Sequence, residues 1–383
     1  MAKVFIVCPG VGRIQRGYES FTRECFEALS KHSSIDITLF KGGGKPDNNE
    51  IVLRLLPKEK ILATQLAKIT QKLGEVFKGH YGYDAYYIEQ LTFVVSLLPY
   101  VQREKPDVIY FSDQTIGDLL GIWRSFSKQS FKLLFCDGSP LTPNLPRCDY
   151  VQQLTPAALQ RGLAYGIPTE KQIFIPLGFN LSPTLNRVTS AEKLALKKSL
   201  CLPEFRSLIL SVGAVNKHHK RMDYVVREVA NLPNPRPFLL LLGQQEAETS
   251  EVLQLGNEVL GSDGFQIRTV PLEKVSDFYK VADCFVLASL REGFGRVFVE
   301  ALAAGLPCLA HDYDISQFVL GKEGYFGDFN LEGSLTNLLL KIITEGDSES
   351  KRCARHRSAY DRFSWDKLIP AYVHMIHYCI KDF

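Results

Sequence analysis

The chain predicts an α/β fold with two parallel-sheet domains, on three observations. Its 383 residues exceed what one hydrophobic core usually organises. Apolar runs of strand length alternate with helical segments, which implies parallel, doubly wound sheets. Finally, residues 166–182 (GIPTEKQIFIPLGFNLS) hold the breakers Pro168, Pro176 and Gly178, and the alternation starts afresh after them. The expected domains are therefore residues 1–177 and 178–363.

In chain order, the first series of strands is expected at residues 4–8, 35–40, 108–111, 133–136 and 150–154. Residues 91–101 (LTFVVSLLPYV) are the longest apolar stretch, about half of what a bilayer requires and containing Pro99, so they read as a core helix. Before it, Leu62, Leu66, Ile69, Leu73 and Val76 recur at helical spacing, with Lys60, Lys68, Lys72 and Lys78 among the intervening positions. That pattern suits a packed helix with a solvated lysine face, and it also permits contact with acidic lipid headgroups. The second series falls at residues 208–212, 237–242, 265–270, 284–289 and 308–311. No internal repeat or low-complexity tract interrupts either series.

Apolar content of 45% and charged content of 23% are those of an ordinary soluble protein. With 45 basic residues against 42 acidic ones, the net charge of +3 gives no argument for nucleic acid as a partner. Nine cysteines without a CxxC pair read as buried thiols in a reducing compartment. The apolar run at residues 4–8 is too short for a signal-peptide core, so a cytoplasmic protein is expected, with peripheral contact at the inner face of a membrane as its one link to lipid. Asp312 and Asp314 form a DxD pair of a kind that arises easily by chance. His374 and His377 share a helix with no acidic or thiol partner, so no metal site is expected.

Residues 291–304 (REGFGRVFVEALAA) are the most informative stretch. An apolar run precedes them, while Gly305 and Pro307 close them, giving the order strand, loop, helix, strand. In a parallel sheet that loop opens at the carboxyl edge, and the new helix presents backbone N–H groups to an anion. Gly293 and Gly295 let the backbone close on a ligand, while Glu292 and Glu300, eight positions apart, accept hydroxyls from different parts of one molecule. After the strand at 208–212 comes GAVNKHHKRM, a glycine turn at Gly213 with Lys217, Lys220 and Arg221 before a helix, which suits a phosphate; His218 and His219 adjoin it. Asp113 and Asp137 stand at predicted strand ends, where an N-cap is the common job for an aspartate.

EGFGRVFVEALAAGLPCLA resembles the donor-site signature of retaining, GT-B-fold glycosyltransferases of family 4, the glycosyl transferases of group 1. The resemblance implies two Rossmann-like domains facing across a cleft, the first on the acceptor side and the second holding the donor. It also implies that the last helix, within residues 364–383, returns to pack on the first domain. By the same resemblance Glu292 contacts the donor sugar and Glu300 the ribose, backbone amides around Gly295 to Phe298 face sugar and diphosphate, and Gly293, Phe294, Gly295, Arg296 and Val297 belong to the donor-binding set. Lys220 falls on the family's diphosphate-gripping lysine, while Ala214 stands where an arginine is usual, so that Arg221 or Lys217 would supply the missing charge. Gly17, Tyr18 and Glu19 resemble a glycine-rich turn over the diphosphate, with Arg16 replacing its first glycine. Asp137 occupies the place of a histidine near the reaction centre, and Gly243, Thr269 and Val270 line the base pocket. Tyr81, Tyr83, Tyr86 and Tyr87, on the acceptor side, offer faces for sugar rings, although packing is their commoner use.

The implied activity is transfer of glucose from UDP-glucose to a glycan or lipid-linked saccharide, with retention and without metal or cofactor. No general base is evident, which agrees with a front-face reaction in which the leaving phosphate accepts the acceptor proton. Ala214 and Asp137 keep open a nucleotide-sugar-binding regulatory protein without turnover. A GT-B epimerase, or a hydrolase using Glu292 and Glu300 as a carboxylate pair, is the enzymatic rival.

Overall fold

The protein is described from a computed structural model covering residues 1–14, 16–76, 84–138 and 145–381. Lys78, Tyr81 and Tyr83 lie outside the described residues, as do the side chains of Lys72, Leu73 and Val76. Two compact units are present, Met1–Phe179 with Leu368–Phe383, and Asn180–Lys367.

The first unit is built on seven parallel strands: β1 (Ala2–Cys8), β2 (Ile35–Lys41), β3 (Glu50–Val52), β4 (Val108–Phe111), β5 (Lys132–Asp137), β6 (Tyr150–Gln153) and β7 (Gln172–Phe174). Their order is β3-β2-β1-β4-β5-β6-β7, with register running Val4 to Ile37 on one side of β1 and Val4 to Val108 on the other. Helices α1 (Gly17–Leu29), α2 (Ile61–Val76), α3 (Ala85–Glu104), α4 (Gln114–Ser127) and α5 (Pro156–Ala164) join them. Covered on both faces, the central strands read as unbroken apolar runs, and Phe5, Phe93, Phe111 and Phe135 meet in one core. The expected core helix is α3, capped by Asp84, whose carboxylate accepts from the Tyr87 N–H at 2.8 Å.

The second unit has six parallel strands: β8 (Leu208–Val212), β9 (Phe238–Leu242), β10 (Phe265–Arg268), β11 (Cys284–Leu287), β12 (Cys308–His311) and β13 (Gly324–Gly327). They lie in the order β10-β9-β8-β11-β12-β13. Its helices are α6 (Ser190–Ser199), α7 (Met222–Ala230), α8 (Thr249–Val259), α9 (Leu272–Val281), α10 (Arg296–Ala303), α11 (Asp314–Leu320), α12 (Ser334–Glu345) and α13 (Glu349–Phe363), followed by the start of α14 (Trp365–Ile380). Every residue of β9, FLLLL, is buried, and each such side chain contributes roughly 1.5–3 kcal/mol. From Leu368 onward α14 belongs to the first unit, where the fully buried Tyr372 donates its hydroxyl to the Pro176 carbonyl at 2.8 Å and accepts from Gln152 Nε2 at 2.9 Å.

Three strands depart from the sequence expectation, and all are sheet edges: β3, β7 and β13. Each is only three or four residues long, and β3 is held by charge, with buried Glu50 accepting from buried Lys41 of β2. Strand β7 lies inside the segment expected to be a plain crossing. The expected stripe of α2 is met in part. Among the described side chains Ala63 and Ala67 are buried and Leu66 packs with them near Ile88 of α3, whereas Ile61, Leu62 and Ile69 are 77%, 53% and 55% exposed. Small alanines on the packed side leave room for the facing helix. Among the described residues no helix is long and apolar enough to cross a membrane.

Candidate functional site

In the second unit the chain winds from β8 to β9 and β10 before returning to β11 on the other side of β8. Loops that follow β8 and β11 therefore flank a topological switch point, the usual ligand crevice of such sheets. A Cβ on Gly243 would fall 1.8 Å from the Gly213 carbonyl oxygen, so glycine is what allows these two backbones to meet. Asn216, buried in the loop after β8, accepts through Oδ1 from the N–H of His219 at 3.2 Å and of Lys220 at 2.7 Å. Its Nδ2 donates to Glu246 at 2.8 Å. So braced, Lys220 runs its methylenes over Gly213 and places Nζ on Oε1 of Glu292. Two residues 72 positions apart in sequence thus form one ion pair, and the buried Glu292 carboxylate has the cation that its burial demands.

The glycine loop continues into α10 through Gly295, which caps the helix at φ +76°; a Cβ there would lie 2.7 Å from the Phe298 ring. Gly293 precedes it, and Phe294 is buried, its ring 5.7 Å from Phe363 and 6.5 Å from Phe318. The Phe294 side chain thus anchors the loop from within the unit. In α10, Glu300 accepts from the Tyr279 hydroxyl at 3.1 Å and lies 4.0 Å from Arg296 Nε, with Val297 between them in the first turn. Burial first, then Glu300, holds the Tyr279 phenol well above its ordinary range, so it stays a donor. Thr269 donates to the Gly243 carbonyl at 2.7 Å, ahead of Val270 and α9.

The cations of the first loop do not converge. Lys217 pairs with Glu251, and its N–H donates to Glu248 at 2.6 Å. Arg221 donates to the Phe329 carbonyl at 2.7 Å and stacks 4.5 Å over the Tyr224 ring. Lys220 alone of the three joins Glu292, with His219 Nε2 at 3.8 Å from the same oxygen. Sequence reasoning passed over Ser289 and Tyr313, whose buried hydroxyls have no hydrogen-bond partner among the described residues. Burial, then the Glu292 charge, pushes the Tyr313 phenol up. It sits in the sequence between Asp312 and Asp314, where the carboxylates drew the eye. Asp312 accepts from Gln317 at 2.6 Å, Asp314 opens α11, and among the described residues no three His, Cys, Asp or Glu side chains are grouped to hold a metal.

Other expected residues belong to the first unit. Asp137 ends β5, and Gly17 opens α1 instead of lying in a loop. Asp113 does cap its helix, accepting from the Ile116 N–H at 3.1 Å, while its other oxygen accepts from the Tyr86 hydroxyl.

Residues 192–358, which include Lys220, Glu292 and Glu300, match the model of a family described as Glycosyl transferases group 1. The chain is 26% identical over 214 residues to a D-inositol 3-phosphate glycosyltransferase of Xylanimonas cellulosilytica, covering 54% of this chain and 51% of that one. It is 29% identical over 176 residues to the alpha-monoglucosyldiacylglycerol synthase of Acholeplasma laidlawii, covering 44% and 43% respectively. It thus spans about half the length of the curated relatives it matches. Among solved structures, Anabaena HepE in complex with UDP-glucose superposes with a TM-score of 0.73 at 14% identity, over 98% of this chain and 100% of that one. At that identity the likeness speaks for the fold, which is the two-sheet α/β fold of the GT-B glycosyltransferases.

Proposed function

We propose that this chain, which belongs to the glycosyl transferases group 1 family through residues 192–358, moves glucose from UDP-glucose to an acceptor hydroxyl with retention at the anomeric carbon. The acceptor is a glycan or lipid-linked saccharide, taken by the first unit, with the donor in the second. The observation that carries this reading is the Lys220–Glu292 pair beside the switch point of the second sheet. Before the donor arrives, each charge keeps the other from being stranded. Once it is bound, Lys220 and the N-terminal amides of α10 stabilise charge growing on the departing diphosphate, and Glu292 takes the sugar hydroxyls. Glu300, steadied by Tyr279, takes the ribose. Gly213, Gly243, Gly293 and Gly295 contribute close backbone, and the step needs no divalent ion.

The reading gains support from the fold shared with HepE, whose structure is a complex with UDP-glucose, and from the glycosyltransferase names of the curated relatives. A membrane-surface site of action is proposed as well, since α2 exposes Ile61, Leu62 and Ile69 beside Lys60 and Lys68, with no acidic residue from 61 to 74. One observation favours a donor-binding protein without turnover: with Ala214 in place and Arg221 held by Phe329, Lys220 carries the phosphate charge with little help.

The deciding experiment is a thermal-shift titration followed by product analysis. UDP-glucose at a hundredfold excess over its Kd stabilises by about 2.7 kcal/mol. Anomeric proton couplings of the product then report retention. Absence of any shift with nucleotide sugars would remove the proposal, and binding without transfer across a broad acceptor panel would move it to the second reading.

A further inference from the structure

The second unit also holds a cavity of about 470 Å³, a size that suits a small molecule, between α13 and the segment 183–187 that leads toward α6. Cys353, His356, Arg357, Tyr360 and Asp361 line it from one face of α13, as helical spacing dictates. Its floor meets the carboxyl end of α10. There His356 Nδ1 lies 2.6 Å from the carbonyl oxygen of Ala303, the last residue of that helix, and Arg355 Nε donates to the Gly305 carbonyl at 2.8 Å. The glycine loop enters α10 at the opposite end, so the eight residues of that helix, about 12 Å, separate it from this cavity.

His356 is 6% exposed, and its Nε2 has no hydrogen-bond partner among the described residues. Since Nδ1 faces a carbonyl oxygen it carries the proton, and Nε2 of the neutral ring is left as an acceptor. Buried polar atoms in native proteins are nearly always paired, so whatever fills the cavity must bring an O–H or N–H to this atom. An ammonium group suits it poorly, because Arg187 and Arg357 stand on the same wall. A hydroxyl carries no such penalty. Arg187 is matched by Glu349, its Nε 3.0 Å from Oε1, whereas Arg357 is exposed and has no ion pair among the described residues. That leaves a guanidinium for an anion, and its planar fork fits a carboxylate. Asp361 shares the wall one turn along α13, which disfavours a doubly charged phosphate ester.

We infer that this cavity binds a small hydroxycarboxylate, whose hydroxyl donates to His356 Nε2 and whose carboxylate meets Arg357. The site is separate from the donor loop and does not rest on the transferase reading above. Cys353 reports on it, since its half-buried thiol lies on the same wall, with Sγ 3.6 Å from Glu349 Oε1. Cys201 is exposed and lines no part of the cavity, which makes it the internal control.

The test titrates the full chain with lactate and glycerate by ligand-observed NMR, and with propionate, glycerol and glycerol 3-phosphate as controls that lack the hydroxyl, lack the carboxylate, or carry a phosphate instead. In parallel the chain is alkylated with iodoacetamide, and Cys353 and Cys201 are followed by peptide mass spectrometry. A hydroxycarboxylate at tenfold excess over its Kd should slow alkylation of Cys353 about tenfold and leave Cys201 unchanged. Propionate should bind about two- to tenfold more weakly, and glycerol and glycerol 3-phosphate more weakly still. His356→Asn, whose amide can still donate to the Ala303 carbonyl, should cost about two- to tenfold in affinity, and the exposed change Arg357→Gln about ten- to hundredfold. UDP-glucose should neither displace the hydroxycarboxylate nor protect Cys353. The inference is overturned if neither lactate nor glycerate binds, if propionate or glycerol 3-phosphate binds as tightly, if Cys353 and Cys201 respond alike, or if Arg357→Gln leaves the affinity as it was. Displacement by UDP-glucose would place the ligand at the donor loop and overturn it as well.

Discussion

Replacing Lys220 by methionine isolates the charge at the centre of the proposed donor site. Methionine keeps an unbranched stem over Gly213, so packing is largely preserved and the ammonium is lost. Lys220 and Glu292 side chains retain 15% and 10% of their exposure, and removing one partner of a buried pair costs about 3–5 kcal/mol because the other charge is left behind. The residual exposure argues for the lower end, about 3 kcal/mol. In a unit spanning residues 180–367 this lowers the melting transition by roughly 6–12 °C. Scanning calorimetry of Lys220→Met, Glu292→Gln and the double variant measures it. If the pair is real, the double variant recovers much of the loss, since no charge is then stranded. Shifts that simply add, to within about 0.5 kcal/mol, would refute the coupling. UDP-glucose affinity should fall about ten- to hundredfold in the lysine variant, the worth of a charge-assisted hydrogen bond.

Gly243→Ala forces a methyl group against the Gly213 carbonyl, so it should destabilise the second unit by about 1–3 kcal/mol and abolish donor binding; a variant with unchanged melting and affinity would mean the loops separate freely. Glu248 accepts from the N–H of Lys217 and of His218, which brings its carboxyl down to about 2 from an ordinary 4.5. A depressed folded-state value stabilises above pH 4.5 and loses that contribution as pH falls toward 2, so Glu248→Gln should flatten the stability curve over that window. Parallel curves would contradict it. On α2, Leu62→Glu with Ile69→Glu should abolish sedimentation with anionic vesicles, and the unaltered chain should release from them as salt rises. An unaltered chain that ignores such vesicles ends the membrane proposal.

The sheets were legible in the sequence where both faces are covered, because burial on two sides leaves an unbroken apolar run such as FLLLL in β9. Three of the four edge strands escaped because they carry no such run: GYFG in β13 and EIV in β3 hold little that distinguishes them from loops. Glu292 and Glu300 stood out through the glycines around them, but the partner of Glu292 did not, since pairing with Lys220 follows from β8 lying beside β11. Counting charges after β8 overstated the cluster, because sequence does not reveal that Glu251 and the Phe329 carbonyl compete for two of the cations. Periodicity placed a helix at α2 but could not choose its buried side, where small residues outweigh large ones.

Tyr372 has a bearing on biosynthesis. A ribosome that has released Met1–Phe179 has delivered every strand of the first sheet, yet the stretch from Leu368 onward that closes the unit is still untranslated. The nascent first unit must wait, its seam near Gln152 and Pro176 open, while the whole of the second emerges. Translation that stops before Leu368 would therefore damage the half of the protein made earliest.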